Sequence, residues 1–176
     1  MVKSYNLKVD RDYIEAEVLS IPNPTHRAFL ATLFLTGARI SEVVGNLKGS
    51  DVSVRDGICY AHLITLKKRK PHVGLPREVP IMPTETLYPV FWNYAKERPG
   101  VLFSFTRQWG WCIVKKYMIL YFPHWFRHAR STVLMREIDN FNLADLKTFH
   151  NWSSIAMADV YVQGELKTIV NKMKKK

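Results

Sequence analysis

The stretch His124-Trp125-Phe126-Arg127-His128 decides the reading of this chain once Arg39, far upstream, and Tyr161, downstream, are set beside it. A spacing of three puts His124 and Arg127 on one face of a helix. Pro123, immediately before, suits the first turn of that helix. Arginine presents a planar, permanently charged fork that matches phosphate oxygens. Histidine shares or moves a proton near neutral pH, and tyrosine supplies a phenolic oxygen able to form a covalent ester. Two arginines, a histidine and a tyrosine are the set a protein needs to attack a DNA phosphate with its own side chain.

The rest of the composition agrees with that chemistry. Over 176 residues, 26 Lys+Arg face 15 Asp+Glu, a net charge of +11 that makes a polyanion the natural partner. A hydrophobic fraction of 47% and an aromatic fraction of 12% describe a folded globule, most simply one domain over residues 1–176. Cys59 and Cys112 have no metal-ligand spacing and read as reduced thiols. No apolar run is long enough to span a bilayer, and Met1-Val-Lys-Ser-Tyr5 lacks the apolar core of a signal peptide. The expected setting is the cytoplasm or nucleoid of a host cell, with no membrane partner.

Local patterns predict an α+β chain, mostly helical with a small three-stranded antiparallel sheet. Pro22 and Pro24 punctuate the entry to the first strong helix, which Thr25 is expected to cap. Phe29, Leu30, Leu33 and Phe34 form its apolar stripe and Gly37 ends it. A short helix follows from Arg39 or Ile40 through Val44. Val52 and Val54 alternate, Asp56-Gly57 signals a hairpin, Ile58 to Leu66 is rich in strand formers, and Arg77 to Ile81 is the return strand. Pro80 places that strand at an edge. Helices are then predicted from Thr84, as cap, through Lys96; from Gln108 to Met118; from Pro123 to Glu137; from Leu143 to Phe149 with Asn142 as cap; from Ser154 to Tyr161 with Ser153 as cap; and from Glu165 into the Lys-rich tail. Val101 to Phe105 reads as short and extended.

Thr36-Gly-Ala-Arg-Ile-Ser-Glu42, followed by Leu47 and Asp51, resembles the T-G-x-R-x-x-E box of the tyrosine recombinases, the integrase family. His124 to His128 resembles that family's H-x-L-R-H box, with Phe126 for leucine. Trp152-Ser-Ser-Ile-Ala-Met-Ala-Asp-Val-Tyr161 resembles the last box, H-S-S-I-x-x-T-x-x-Y, with Trp152 for the histidine and Ala158 for the threonine. The usual Leu-Gly before that box is His150-Asn151, and Asp139-Asn140 stands near the usual glycine after the middle box. Any one box is weak, whereas three in the family's order are specific.

The resemblance implies roles. Arg39 and Arg127 would clamp the non-bridging oxygens of the scissile phosphate, and His124 would hydrogen-bond it or help deprotonate Tyr161. Tyr161 would be the nucleophile, giving a 3′-phosphotyrosyl link that stores the bond energy for resealing. Neither ATP nor a metal is expected, so no cofactor is implied. Trp152 would be a phosphate contact, its indole N–H a donor only, with His150 as the alternative at that place. The family's lysine, which protonates the leaving 5′ oxygen, is sought among Lys67, Lys68 and Lys70. Lys68 follows the strand residue Leu66 by the family's spacing of two. Glu42 and His128 would support the arginines and histidine from behind.

The implied function is site-specific integration or excision of double-stranded DNA, by a monomer in free solution that assembles as a tetramer on DNA. The family usually adds an N-terminal helical domain, and hardly twenty residues precede the first strong helix here. The chain therefore reads as a catalytic-domain fragment or a minimal member. A type IB topoisomerase-like enzyme shares the chemistry and is the nearest competitor. A catalytically silent DNA-binding module is the competitor from a different class.

Overall fold

A computed structural model describes residues 9–65 and 75–157. The first helix, α1 (Arg11–Ser20), is one the sequence patterns did not reveal. Its apolar positions are few, but Ile14, Val18 and Ile21 fall on one face and are wholly buried. Asp10 caps it, accepting from the Tyr13 amide, and Arg11 ties it to Glu15 and, across the molecule, to Glu137.

The next helix, α2 (Pro24–Thr36), is buried on every side from Ala28 to Thr36, which makes it the axis of the fold. Its cap is Asn23, whose side chain accepts from the His26 amide at 3.0 Å, rather than Thr25. Thr25 Oγ1 is instead engaged by the Tyr94 hydroxyl. Gly37 ends α2 at φ +55, the left-handed conformation that glycine adopts without a Cβ penalty. The short α3 (Ile40–Val43) follows at once.

After a 3-10 turn at Gly49–Asp51, strands β1 (Val52–Arg55), β2 (Ile58–Thr65) and β3 (Leu75–Ile81) form an antiparallel sheet in the order β1-β2-β3. Asp56 and Gly57 both take positive φ, as a tight hairpin requires. β3 is an edge strand, where Pro76 and Pro80 are tolerated. Its alternation turns Arg77, Val79 and Ile81 to the buried face. The inward row of this strand therefore includes an arginine.

The helices α4 (Tyr88–Lys96), α5 (Arg107–Tyr117), α6 (Pro123–Glu137) and α7 (Leu143–His150) complete the domain, with α4 and α6 packed against α2. α4 starts three residues later than a Thr84 cap would have it, because residues 83–87 are spent in turns and Pro89 sits in the first helical turn. Thr106 caps α5 and Asn142 caps α7. The predicted extended segment at Val101–Phe105 reduces to a single bridge between Lys48 and Val101. Beyond α7, a 3-10 turn at Ile155–Met157 is capped by Ser154, not Ser153. The rest of the predicted 154–161 helix and the basic tail lie outside the described residues. The core is strongly aromatic, with Phe29 meeting Phe103 and Phe105 edge-to-face at 5.4 and 5.1 Å. No helix among the described residues is long and apolar enough to cross a membrane.

Candidate active site

Two helix C-termini build the site. The last carbonyls of a helix have no partner within it and carry the negative end of its dipole. α2 and α7 bring such ends together, and buried arginines fill them. Arg127 Nη1 donates to the Gly37 carbonyl at 2.9 Å and its Nη2 to the His150 carbonyl at 3.2 Å. Arg77 Nη1 donates to the Phe149 carbonyl at 2.8 Å and its Nη2 to the Thr36 carbonyl at 3.4 Å. The left-handed turn at Gly37 points that carbonyl at α6.

Glu42 sits at the centre, fully buried. Its carboxylate lies 2.9 Å from Arg39 Nη1, 3.4 Å from Arg77 Nη2 and 3.9 Å from Arg127 Nη1. It also accepts from the Arg39 amide at 2.9 Å, which pins the start of α3. Among the described residues, then, one carboxylate serves three guanidiniums. Even Arg39 and Arg77 by themselves outnumber it. Burial pushes the Arg77 guanidinium down to about 10, Glu42 resisting and Arg39 assisting, so it stays charged at neutral pH. Arg39 is the exposed edge of the group, its side chain 33% accessible, while Arg127 is sealed at 1%.

His124 lies in the first turn of α6, exposed, one turn ahead of Arg127. Its pKa is lowered by desolvation first and then by Arg127 and Arg39, with Glu42 opposing, so it is neutral near pH 7 and available to accept a proton. Beside it runs an open groove of about 420 Å³ lined by Ile40, Arg107, Trp111 and Phe122 among others. Trp152 is buried with its ring 5.4 Å from the Arg127 guanidinium carbon and 4.7 Å from the His150 ring, placing an aromatic face against the arginine. His128 is buried next to Arg127 in sequence, and its pKa is lowered by burial, then by Arg136 and His124.

Arg39, Glu42, Arg127, His124 and Trp152 thus gather around one place, and His128 lies near His124 on α6. Lys67, Lys68, Lys70 and Tyr161 lie outside the described residues. One member of the cluster escaped the sequence reading, and another was held only as an alternative. Arg77 was treated only as the start of a strand, although the period of two that buries Val79 and Ile81 also buries position 77. His150 was held as an alternative to Trp152, yet both are present, their rings in tilted contact.

No protein-family model and no curated protein matches the chain. Solved structures do. XerA recombinase aligns with 95% of this chain at TM-score 0.70 and 17% identity, over 65% of its own length. XerH site-specific recombinase, in a post-cleavage complex with a palindromic difH substrate, aligns with 92% at TM-score 0.70 and 15% identity, over 50% of its length. The Tn1549 transposon integrase, in complex with transposon right-end DNA, aligns with 93% at TM-score 0.59 and 18% identity, over 66% of its length. The chain therefore spans from half to about two thirds of these proteins. At such identities the likeness speaks for architecture, and the architecture is the one expected from the three sequence boxes: the mostly helical fold, with its small antiparallel sheet, that site-specific recombinases and integrases share.

Proposed function

We propose that this chain is the catalytic domain of a tyrosine recombinase, cutting and rejoining double-stranded DNA for site-specific integration or excision. One observation carries the reading. In a fold shared with recombinases, Arg39, Arg77 and Arg127 converge on a single carboxylate with His124 at the rim. Such a cluster suits a phosphodiester whose negative charge grows in the transition state.

In the proposed reaction the Tyr161 oxygen attacks phosphorus, and its proton passes to His124 or to water. A phosphorus–oxygen bond to Tyr161 forms as the bond to the 5′ oxygen breaks. Lys68 gives that oxygen its proton, leaving a 5′-hydroxyl and a 3′-phosphotyrosyl ester. Rejoining is the same step reversed with a 5′-hydroxyl from the same or a second duplex. Arg39 and Arg127 hold the non-bridging oxygens throughout, and Trp152 fixes the plane of Arg127. Glu42 keeps the guanidiniums aimed without neutralising them. The domain acts as a monomer in free solution and as a tetramer on DNA, in the cytoplasm or nucleoid where DNA is accessible. Its affinity for DNA falls steeply with salt.

The test is a pool of duplexes with a 5′-bridging phosphorothiolate at one fixed position and randomised bases on both sides. The sulfur leaving group does not religate, so a covalent adduct accumulates. Mass spectrometry of the digested conjugate is expected to place DNA on Tyr161, and Tyr161→Phe to form none. A wild-type chain that forms no adduct, or a variant that still does, refutes the proposal. Transfer of the cut strand to a second duplex separates a recombinase from an enzyme that only relaxes supercoils.

A further inference from the structure

Two buried side chains, His150 and Ser131, join Arg77 to Arg127 in one direction. Arg77 Nη1 lies 3.3 Å from His150 Nδ1. A guanidinium has donors and no acceptor, so Nδ1 must accept and the imidazole proton must sit on Nε2. Nε2 lies 2.8 Å from Ser131 Oγ, which therefore receives it, and Ser131 Oγ donates to the Arg127 carbonyl at 2.8 Å. The Arg127 guanidinium returns to the His150 carbonyl at 3.2 Å. His150 thus grips Arg127 at both ends, the backbone through Ser131 and the guanidinium through its own carbonyl.

The surroundings are shaped for this ring. His150 and Ser131 are wholly inaccessible. A Cβ added at Gly37 would come within 2.7 Å of His150 Cε1, so the turn leaves room for the imidazole. The family pattern places an aliphatic residue at position 150, which would fill such a hole without any polar group to satisfy. A polar side chain kept there, with every bond made, contributes orientation more than stability.

We propose, on the recombinase reading above, that Arg77, His150 and Ser131 form a positioning relay that sets the register of Arg127 against the phosphate. The relay starts on β3, the strand reached through the segment that holds Lys68, and ends on α6. It thereby links the strand side of the site to the clamp.

The experiment uses the full chain and the randomised phosphorothiolate duplexes. His150→Leu is expected to lower the adduct rate at saturating DNA by roughly 10²-fold, the scale of a small misplacement of a reacting group. DNA affinity and the fraction folded should stay near wild type. His150→Gln, which accepts from Arg77 through its oxygen and donates to Ser131 through its amide, is expected to recover most of the rate. Adding Ser131→Ala to His150→Leu is expected to cost nothing more, because the two act in series. In the DNA-free protein, the ¹⁵N spectrum of His150 should show the proton on Nε2. A wild-type rate in His150→Leu, an equal loss in the Gln variant, a loss that tracks unfolding, or a proton on Nδ1 each overturns the relay and leaves the recombinase reading standing. A wild-type chain that forms no adduct overturns both.

Discussion

Arg127 and Arg130 stand one turn apart on α6, both buried, each with an aromatic ring over its guanidinium: Trp152 at 5.4 Å and Phe149 at 5.8 Å. Their carboxylates differ. Among the described residues, Arg130 is the one cation that Glu85 pairs with, in a two-pronged pair whose Nη2–Oε1 arm measures 2.9 Å. Glu42 is divided among Arg39, Arg77 and Arg127, and helix-end carbonyls supply bonds but only partial charge. One helix therefore carries a cation that is closed off and a cation set in a positive field. His150, between them, registers that field: burial and then Arg127, Arg77, Arg39 and Arg130 all press its pKa well below the ordinary value. Among the described residues, a matched pair ties Arg130 to Glu85, whereas one carboxylate is divided among three guanidiniums.

The sharpest way to break this contrast is to neutralise each arginine. Arg127→Gln is expected to slow adduct formation on the phosphorothiolate duplexes by roughly 10³-fold, the upper range for losing one transition-state donor. Arg130→Gln should leave the rate per folded molecule near wild type. If the two variants lose rate equally, the distinction between them is false.

Stability should divide the other way. Removing one partner of a buried ion pair costs on the order of 3–5 kcal/mol because the other charge is left stranded. Glu85→Gln is expected to lower unfolding free energy on that scale in urea melts. The joint change Glu85→Leu with Arg130→Met should recover most of it, since a well-packed apolar pair replaces a charged one at little net cost. A joint variant no more stable than Glu85→Gln would mean that the pair itself, rather than the stranded charge, carries the energy.

The same contrast explains how much could be read beforehand. α6 was placed closely, because Pro123 marks its first turn locally. The hairpin at Asp56-Gly57 and the cap at Asn142 were equally legible, each being a short-range signal. Arg39, His124 and Arg127 came from motif spacing, and they do meet. α1 was missed because its burial comes from packing against α2 rather than from a strong apolar stripe of its own. Arg77 and His150 were underestimated because a buried charge is recognisable only by its partners. Those partners lie 35 and 73 positions from Arg77 along the chain.

Gly37 tests the geometry that both regions share. It needs positive φ, and a Cβ there would also press on His150 Cε1 at 2.7 Å and on Arg130 Cβ at 3.4 Å. Gly37→Ala is expected to cost on the order of 2–3 kcal/mol in thermal or urea unfolding, from backbone strain and overpacking together. It should also reduce the adduct rate, because its carbonyl holds Arg127. Full stability in the alanine variant would show that the turn relaxes freely and does not set the clamp.

The smallest effect is a pH dependence, and its sign follows from the positive field. His150 is held neutral in the folded chain, with its pKa well below 6.5, while the unfolded chain titrates near that value. Below pH 6.5 the unfolded state binds a proton that the folded state refuses, so stability is intact above that pH and lost as pH falls toward the folded pKa. For His150 by itself the loss between pH 7 and 5.5 is about 1 kcal/mol. His124 and His128 shift in the same direction and add to the slope. The groups facing His150 are Arg77, Arg127, Arg39 and Arg130, with Ser131 on Nε2 and Glu42 beyond the guanidiniums. Their combined charge keeps the ring neutral. Melting temperature should fall over this range in the wild type and fall less in His150→Gln, which has nothing to titrate. An identical slope in the two would place the proton uptake elsewhere and remove His150 as the reporter of the field around the clamp.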